Sequence, residues 1–236
     1  MISLTSPWYR ACYNPPRHDE PEGAAVDVIA GRDVAIPCGD ITLEGLLHLP
    51  DGAGPFPGIV VCHPHPQYGG DMYNSVVGAL VRAALDSGFA ALRFNFRAVG
   101  ESEGTHTGGQ AEPVDVKAAC TFLAEQPEID SGRVALAGYS FGAAMALVSA
   151  PDIGPAGLAL VSLPTIAGAL SPPDGAFPLL LVSGDRDEYA DTAALARLAE
   201  AAGERARLEV IPGVDHFWAG ADDRLTETTA AFLRTL

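Results

Sequence analysis

Ser140 stands in the run Gly138-Tyr139-Ser140-Phe141-Gly142, a G-x-S-x-G spacing. This spacing suits a nucleophile on a sharp strand-to-helix turn, because side chains two residues before and after the serine would strike neighbouring backbone. With 26 glycines in the chain such a pentapeptide can arise by chance, and many serines only cap helices. The flanks decide for the chemical reading: residues 134–137 are an apolar run, and residues 141–150 are rich in Ala, Leu and Met. A serine hydroxyl attacks poorly at neutral pH unless an imidazole takes its proton and a carboxylate holds that imidazole. His216 is the one histidine after Ser140, and it follows an apolar stretch and the Pro212-Gly213 turn. Between the two lies Gly184-Asp185-Arg186-Asp187. Asp187 is preferred as the orienting acid, since the Gly184 turn lets the third residue point back over the sheet. Asp185 is the alternative, or caps the loop. Without a histidine downstream, both would read as solvated loop acids.

Acyl attack also creates an oxyanion that needs backbone N–H groups already in place. Phe141, at the start of a helix, supplies one. The second is expected from the loop His63-Pro64-His65-Pro66, where proline offers no N–H, so the His65 amide is chosen over that of His63. Alternating X-Pro pairs are extended and do not aim the two rings at one point, so a buried, hydrogen-bonded His63 is expected rather than a metal site.

The elements that must position these residues follow from the rhythm of the chain. Residues 1–25, rich in Pro, Asp and Glu, read as an irregular arm, and residues 26–236 as one α/β domain. Segments 26–36 and 41–49 suit an antiparallel edge pair. Buried strands are expected at 58–62, 90–95, 133–137, 157–163, 178–183 and 207–211, with helices at 74–87, 113–125, 141–150, 192–202 and 222–236. Such alternation makes a mostly parallel sheet with helices on both faces and the chemistry at the carboxyl ends of the strands.

Composition narrows the classes. A hydrophobic content of 48% with 19% charged residues is that of a packed soluble domain, and no apolar run is long enough to span a bilayer. The net charge of −16, from 30 acidic and 14 basic side chains, repels phosphate backbones. Neither nucleic acid nor membrane is expected as a partner. No secretory pattern is seen in residues 1–14, so a cytoplasmic location is expected. Cys12, Cys38, Cys62 and Cys120 form no C-x-x-C pair and read as buried thiols, with a Cys12–Cys38 bridge as the alternative. No metal and no other cofactor is expected.

Together, HPHPQYGGDMYN at 63–74, RFNFRAVGESEG at 93–104, GYSFG at 138–142, GDRDE at 184–188 and DHFW at 215–218 resemble the α/β-hydrolase superfamily. More narrowly the chain is similar to small bacterial serine hydrolases with an HPHP-x-x-GG loop and an RFNFR-G-x-G-x-S loop. The resemblance covers the chain from about residue 26 onward. It implies Ser140 as nucleophile, Asp187 as triad acid and His216 as base. Ala98 departs from it, standing where the family usually has glycine. Members with lipase or epoxide-type activity often insert a helical cap where this chain has only residues 164–177, which implies an open site without a lid. Tyr68, Tyr73, Tyr139, Phe141, Phe217 and Trp218 are candidates for its walls.

The expectation is a serine hydrolase that cleaves a carboxyl ester or thioester of a small molecule through an acyl-serine intermediate. The alternatives are a peptidase or amidase using the same triad, and a non-catalytic binding protein of the same fold. Self-association into a homo-oligomer is compatible with the sequence.

Overall fold

Short apolar segments that bury both faces pair as parallel strands, and eight strands here form one sheet. The computed structural model describes residues 30–165 and 170–236. In chain order the strands are β1 Arg32–Cys38, β2 Ile41–His48, β3 Phe56–Cys62, β4 Ala90–Phe94, β5 Ile129–Tyr139, β6 Leu158–Val161, β7 Leu179–Gly184 and β8 Ala206–Ile211. The helices are α1 Ser75–Leu85, α2 Glu112–Ala124, α3 Phe141–Ile153, α4 Thr192–Ala202 and α5 Asp222–Leu233.

The strand order is β1-β2-β4-β3-β5-β6-β7-β8. β1 and β2 pair antiparallel, β2 meets β4 antiparallel, and all pairs from β4 to β8 are parallel. From β3 the chain crosses to β4 on one side and then to β5 on the other. This reversal opens a crevice at the carboxyl ends of β3 and β5, where ligands bind in open α/β sheets.

Alternate residues of each strand enter different cores. Val60, Leu136, Leu160 and Leu181 pack with α2, α3 and α4 on one face. Val61, Ala137, Val161 and Val182 pack with α1 and α5 on the other. Each of these leucines is fully buried, which stabilises the fold by about 2 kcal/mol per side chain.

Several element boundaries differ from the sequence reading. β5 begins at Ile129, opposite Phe56, instead of at 133. α3 runs past residue 150 to Ile153 with Pro151 inside it, and stops at Gly154 in the left-handed region (φ 62°). Proline is tolerated there because only the last turn is affected. β6 is shorter than 157–163, because Ser162 leaves extended geometry at φ 47°. The expected arm at 1–25 lies outside the described residues. Between β6 and β7 no helix or strand occurs among the described residues, so the sheet carries no cap domain. No helix among the described residues is long and apolar enough to cross a membrane.

Cys38, Cys62 and Cys120 are free and buried. Cys38 Sγ donates to Asp115 Oδ1 at 3.4 Å, and Cys12, its partner in the alternative bridge, lies outside the described residues.

Candidate active site

The turn that presents Ser140 joins β5 to α3 and is strained. Ser140 has φ 54° and ψ −116°, a conformation that side chains seldom adopt. Glycine is needed on both sides. A Cβ on Gly138 would run into the Gly142 carbonyl, and one on Gly142 would run into the Cys62 carbonyl. Ser140 N–H donates to Val161 O at 2.9 Å, which fastens the turn to the end of β6.

Three sequence-selected side chains come together at this turn. His216 Nε2 lies 3.0 Å from Ser140 Oγ, and His216 Nδ1 lies 2.8 and 2.9 Å from the two Asp187 oxygens. Asp187 Oδ1 also accepts from the N–H groups of Tyr189 (2.9 Å) and Ala190 (3.0 Å). Burial pushes the Asp187 carboxyl upward, but the bond and charge of His216, aided by Ser162 and the Tyr189 N–H, outweigh it and hold the group below its ordinary value. Tyr139 Oη donates to the His216 carbonyl at 2.7 Å and anchors the histidine loop from behind. Asp185 is exposed and turned away: its Oδ1 accepts from Gly213 N–H at 2.6 Å and closes the Pro212-Gly213 turn.

Opposite Ser140, the loop after β3 is held by His63. Phe96 N–H donates to its Nε2 at 3.0 Å, so Nδ1 carries the proton and donates to Pro64 O at 2.6 Å. Complete burial drives the His63 imidazole down to about 4, outweighing the upward pull of the Pro64 carbonyl. His65 caps the 3-10 turn Pro66–Tyr68, its Nδ1 accepting from Gln67 N–H at 3.2 Å. Its ring packs against Phe141, with centroids 4.8 Å apart. Among the described residues neither the Phe141 nor the His65 N–H donates to a protein acceptor. The two histidine rings face different partners, and no cluster of three metal-ligating side chains occurs among the described residues.

The loops after β4 fix the far wall. Asn95 accepts from Met72 N–H at 2.9 Å and donates to Glu44 at 2.7 Å. Arg97 grips the buried Asp115 through Nε and a terminal nitrogen. His106 Nδ1 approaches buried Glu112 at 2.8 Å, and that carboxylate also accepts from Thr107 and Gly109.

Not every expected wall residue faces the site. Tyr139 and Trp218 are buried behind it, whereas Phe217 is 59% exposed beside His216 and Tyr73 is 56% exposed beneath the Arg93 guanidinium. Sequence reasoning missed Ser162, Glu112 and Asn95. A lone polar residue at a strand end or helix start carries no pattern that singles it out. A cleft of about 240 Å³ bounded by Lys117, Ser131, Asp152 and Gly154 lies at the amino end of β5, away from Ser140.

Comparison with known proteins gives one family. Residues 39–213 match the model of the family described as X-Pro dipeptidyl-peptidase (S15 family). A structure of an alpha-beta serine hydrolase homologue from Coxiella burnetii is 32% identical, with a TM-score of 0.76 over 86% of this chain and 97% of that one. A serine hydrolase without lid from Xanthomonas campestris is 28% identical, with a TM-score of 0.76 over 87% of this chain and 94% of that one. The uncharacterized protein Rv2307c of Mycobacterium tuberculosis is 30% identical over 92% of this chain and 83% of its own length. A match over most of the chain, on a sheet of this order without a cap, means that the protein belongs to the X-Pro dipeptidyl-peptidase (S15) family within the α/β-hydrolase superfamily.

Proposed function

We propose that the protein is a serine hydrolase that cleaves a carboxyl ester or thioester of a small molecule through an acyl-Ser140 intermediate. The observation that carries this reading is the unbroken line from Ser140 Oγ through His216 to Asp187, with contacts of 3.0 and 2.8 Å. His216 Nε2 takes the Ser140 proton as Oγ attacks the carbonyl carbon, and Asp187 stabilises the imidazolium that forms. The Phe141 and His65 N–H groups receive the oxyanion. His216 then gives its proton to the departing alkoxide or thiolate. Water enters, His216 removes one proton from it, and the acyl group leaves as a carboxylic acid while Ser140 regains its hydrogen.

Peptidase action is the second reading, favoured by the description of the family. A dipeptidyl-peptidase must hold the free ammonium of its substrate, which calls for an unoccupied carboxylate near the serine. Among the described residues, fully buried Glu112 already accepts from Thr107 and Gly109, and Asp187 is taken by His216. Ester or thioester cleavage is therefore preferred. A panel of activated esters, thioesters and X-Pro amides separates the readings. Hydrolysis of X-Pro amides at a kcat/KM above that of the esters overturns the preference.

A further inference from the structure

Of the nine phenylalanines, Phe217 alone is exposed, at 59%, and it stands between two buried residues, His216 and Trp218. The backbone that carries it is fixed on both sides. Phe217 N–H donates to Asp215 Oδ1 at 3.0 Å, and the His216 carbonyl accepts from Tyr139 Oη at 2.7 Å. Trp218 takes a left-handed conformation (φ 62°), its indole Nε1–H donating to buried Ser162 Oγ at 2.9 Å and its carbonyl accepting from Ala221 N–H at 2.9 Å. Such a conformation persists where the surroundings over-determine it. The loop thus holds out in water an apolar ring that joins neither core. Its centroid lies 5.8 Å from that of the His216 imidazole, with the two planes at 89°.

In the proposed mechanism His216 Nε2 returns its proton to the departing oxygen or sulfur, which must then come within about 3 Å of Nε2. The oxyanion is received elsewhere, by the Phe141 and His65 N–H groups. Of the parts of the substrate, the leaving group is therefore the one brought to the imidazole that Phe217 borders. Charge adds a restriction. On the loops at 184–190 and 212–220 the exposed carboxylates of Asp185, Glu188 and Asp215 outnumber the one exposed guanidinium, that of Arg186, and repel an anionic leaving group.

We infer that Phe217 is a specificity-determining residue that packs against the leaving group, and that the preferred substrate releases an uncharged aromatic alcohol or thiol. An aromatic ring suits it best, because edge-to-face and offset contacts add to the burial of apolar surface. The inference rests on the hydrolase reading above.

The test compares two acetate esters whose alcohols differ little in basicity, benzyl acetate and 2-methoxyethyl acetate. Wild-type protein is expected to cleave benzyl acetate with a kcat/KM about tenfold higher, the scale of one aromatic contact and the apolar area it buries. Phe217→Ala should lose about tenfold on the benzyl ester and clearly less on the other, whereas Phe217→Tyr should keep the preference. The aromatic alcohol has left before deacylation, so hydrolysis of the acetyl-enzyme, followed by stopped flow, should slow by a smaller factor than acylation. Should Phe217→Ala not fold, Phe217→Gln is read in the same way. S-benzyl thioacetate should exceed acetyl-coenzyme A, a phosphate-bearing thioester, in kcat/KM. No preference for the benzyl ester, equal losses on the two esters in Phe217→Ala, or acetyl-coenzyme A as the better thioester overturns the inference and leaves the hydrolase reading standing. Folded protein that cleaves none of these esters, with Ser140 unlabelled by a fluorophosphonate, overturns both.

Discussion

Asp187 receives His216 Nδ1 between its two oxygens, at 2.8 and 2.9 Å, while Asp185, two residues earlier on the same loop, turns outward to the Gly213 N–H. Gly184 permits the divergence, because a Cβ there would strike the Val214 carbonyl. One short loop thus gives two carboxylates different work.

Asp187→Asn should lower kcat on an activated short-chain ester by about 10³–10⁴-fold, since an amide holds the imidazole in the wrong tautomer. Asp185→Asn should cost less than about tenfold, because the lost bond closes an exposed turn. Steady-state kinetics of the two variants decide the matter, and a larger loss at Asp185 contradicts the assignment.

The His65 backbone admits a direct test of the proposed second oxyanion donor. Its φ of −62° is already that of proline, so His65→Pro deletes the N–H with little backbone movement. It should reduce kcat about 10²–10³-fold with KM little changed, the usual cost of losing one such donor. His65→Ala keeps the N–H and should retain activity within about tenfold. Equal losses in the two variants would mean that the side chain matters and the amide does not.

Acid stability should follow His63. Its folded pKa is about 4 against an ordinary 6.5, so between these values the unfolded chain binds the extra proton. Stability is therefore full above pH 6.5 and is lost as pH falls through 6.5 toward 4, by on the order of 3 kcal/mol from this group. Protonated Nε2 would face the Phe96 N–H, setting donor against donor. Urea unfolding at pH 7 and pH 4.5 measures the loss, and His63→Gln should reduce it, with the half-buried His65, also held down to about 4, accounting for part of what remains. A wild-type midpoint that does not move between these pH values contradicts the prediction.

Ala98 sits at φ 66°, so glycine there would relieve about 1–2 kcal/mol of strain and forfeit part of it to the freer unfolded chain. Ala98→Gly should stabilise the fold by about 0.5 kcal/mol, read as a higher urea midpoint. Destabilisation by 1 kcal/mol or more would mean that the Ala98 methyl packs usefully.

The strands were legible because their apolar runs are short, bounded by turns and buried on both faces, as with Val60-Val61-Cys62. Ser140, Asp187 and His216 were legible because each follows a strand in a fixed order. Ser162 was not, and Trp218, expected in the wall, is instead buried behind it. Their left-handed backbones are imposed by tertiary contacts, and the bond between them joins residues 56 apart in sequence. The extension of α3 through Pro151 was hidden for a similar reason, since packing against the sheet overrides a local helix breaker.

The central claim, that Ser140 is a nucleophile activated by His216, is tested most directly by a fluorophosphonate probe with mass-spectrometric mapping of the modified residue. Folded wild-type protein should be labelled at Ser140. Ser140→Ala should not be labelled at all, and His216→Ala should react at least about a thousandfold more slowly. Folded wild-type protein left unlabelled while a control serine hydrolase reacts, or label found on another residue, would contradict it.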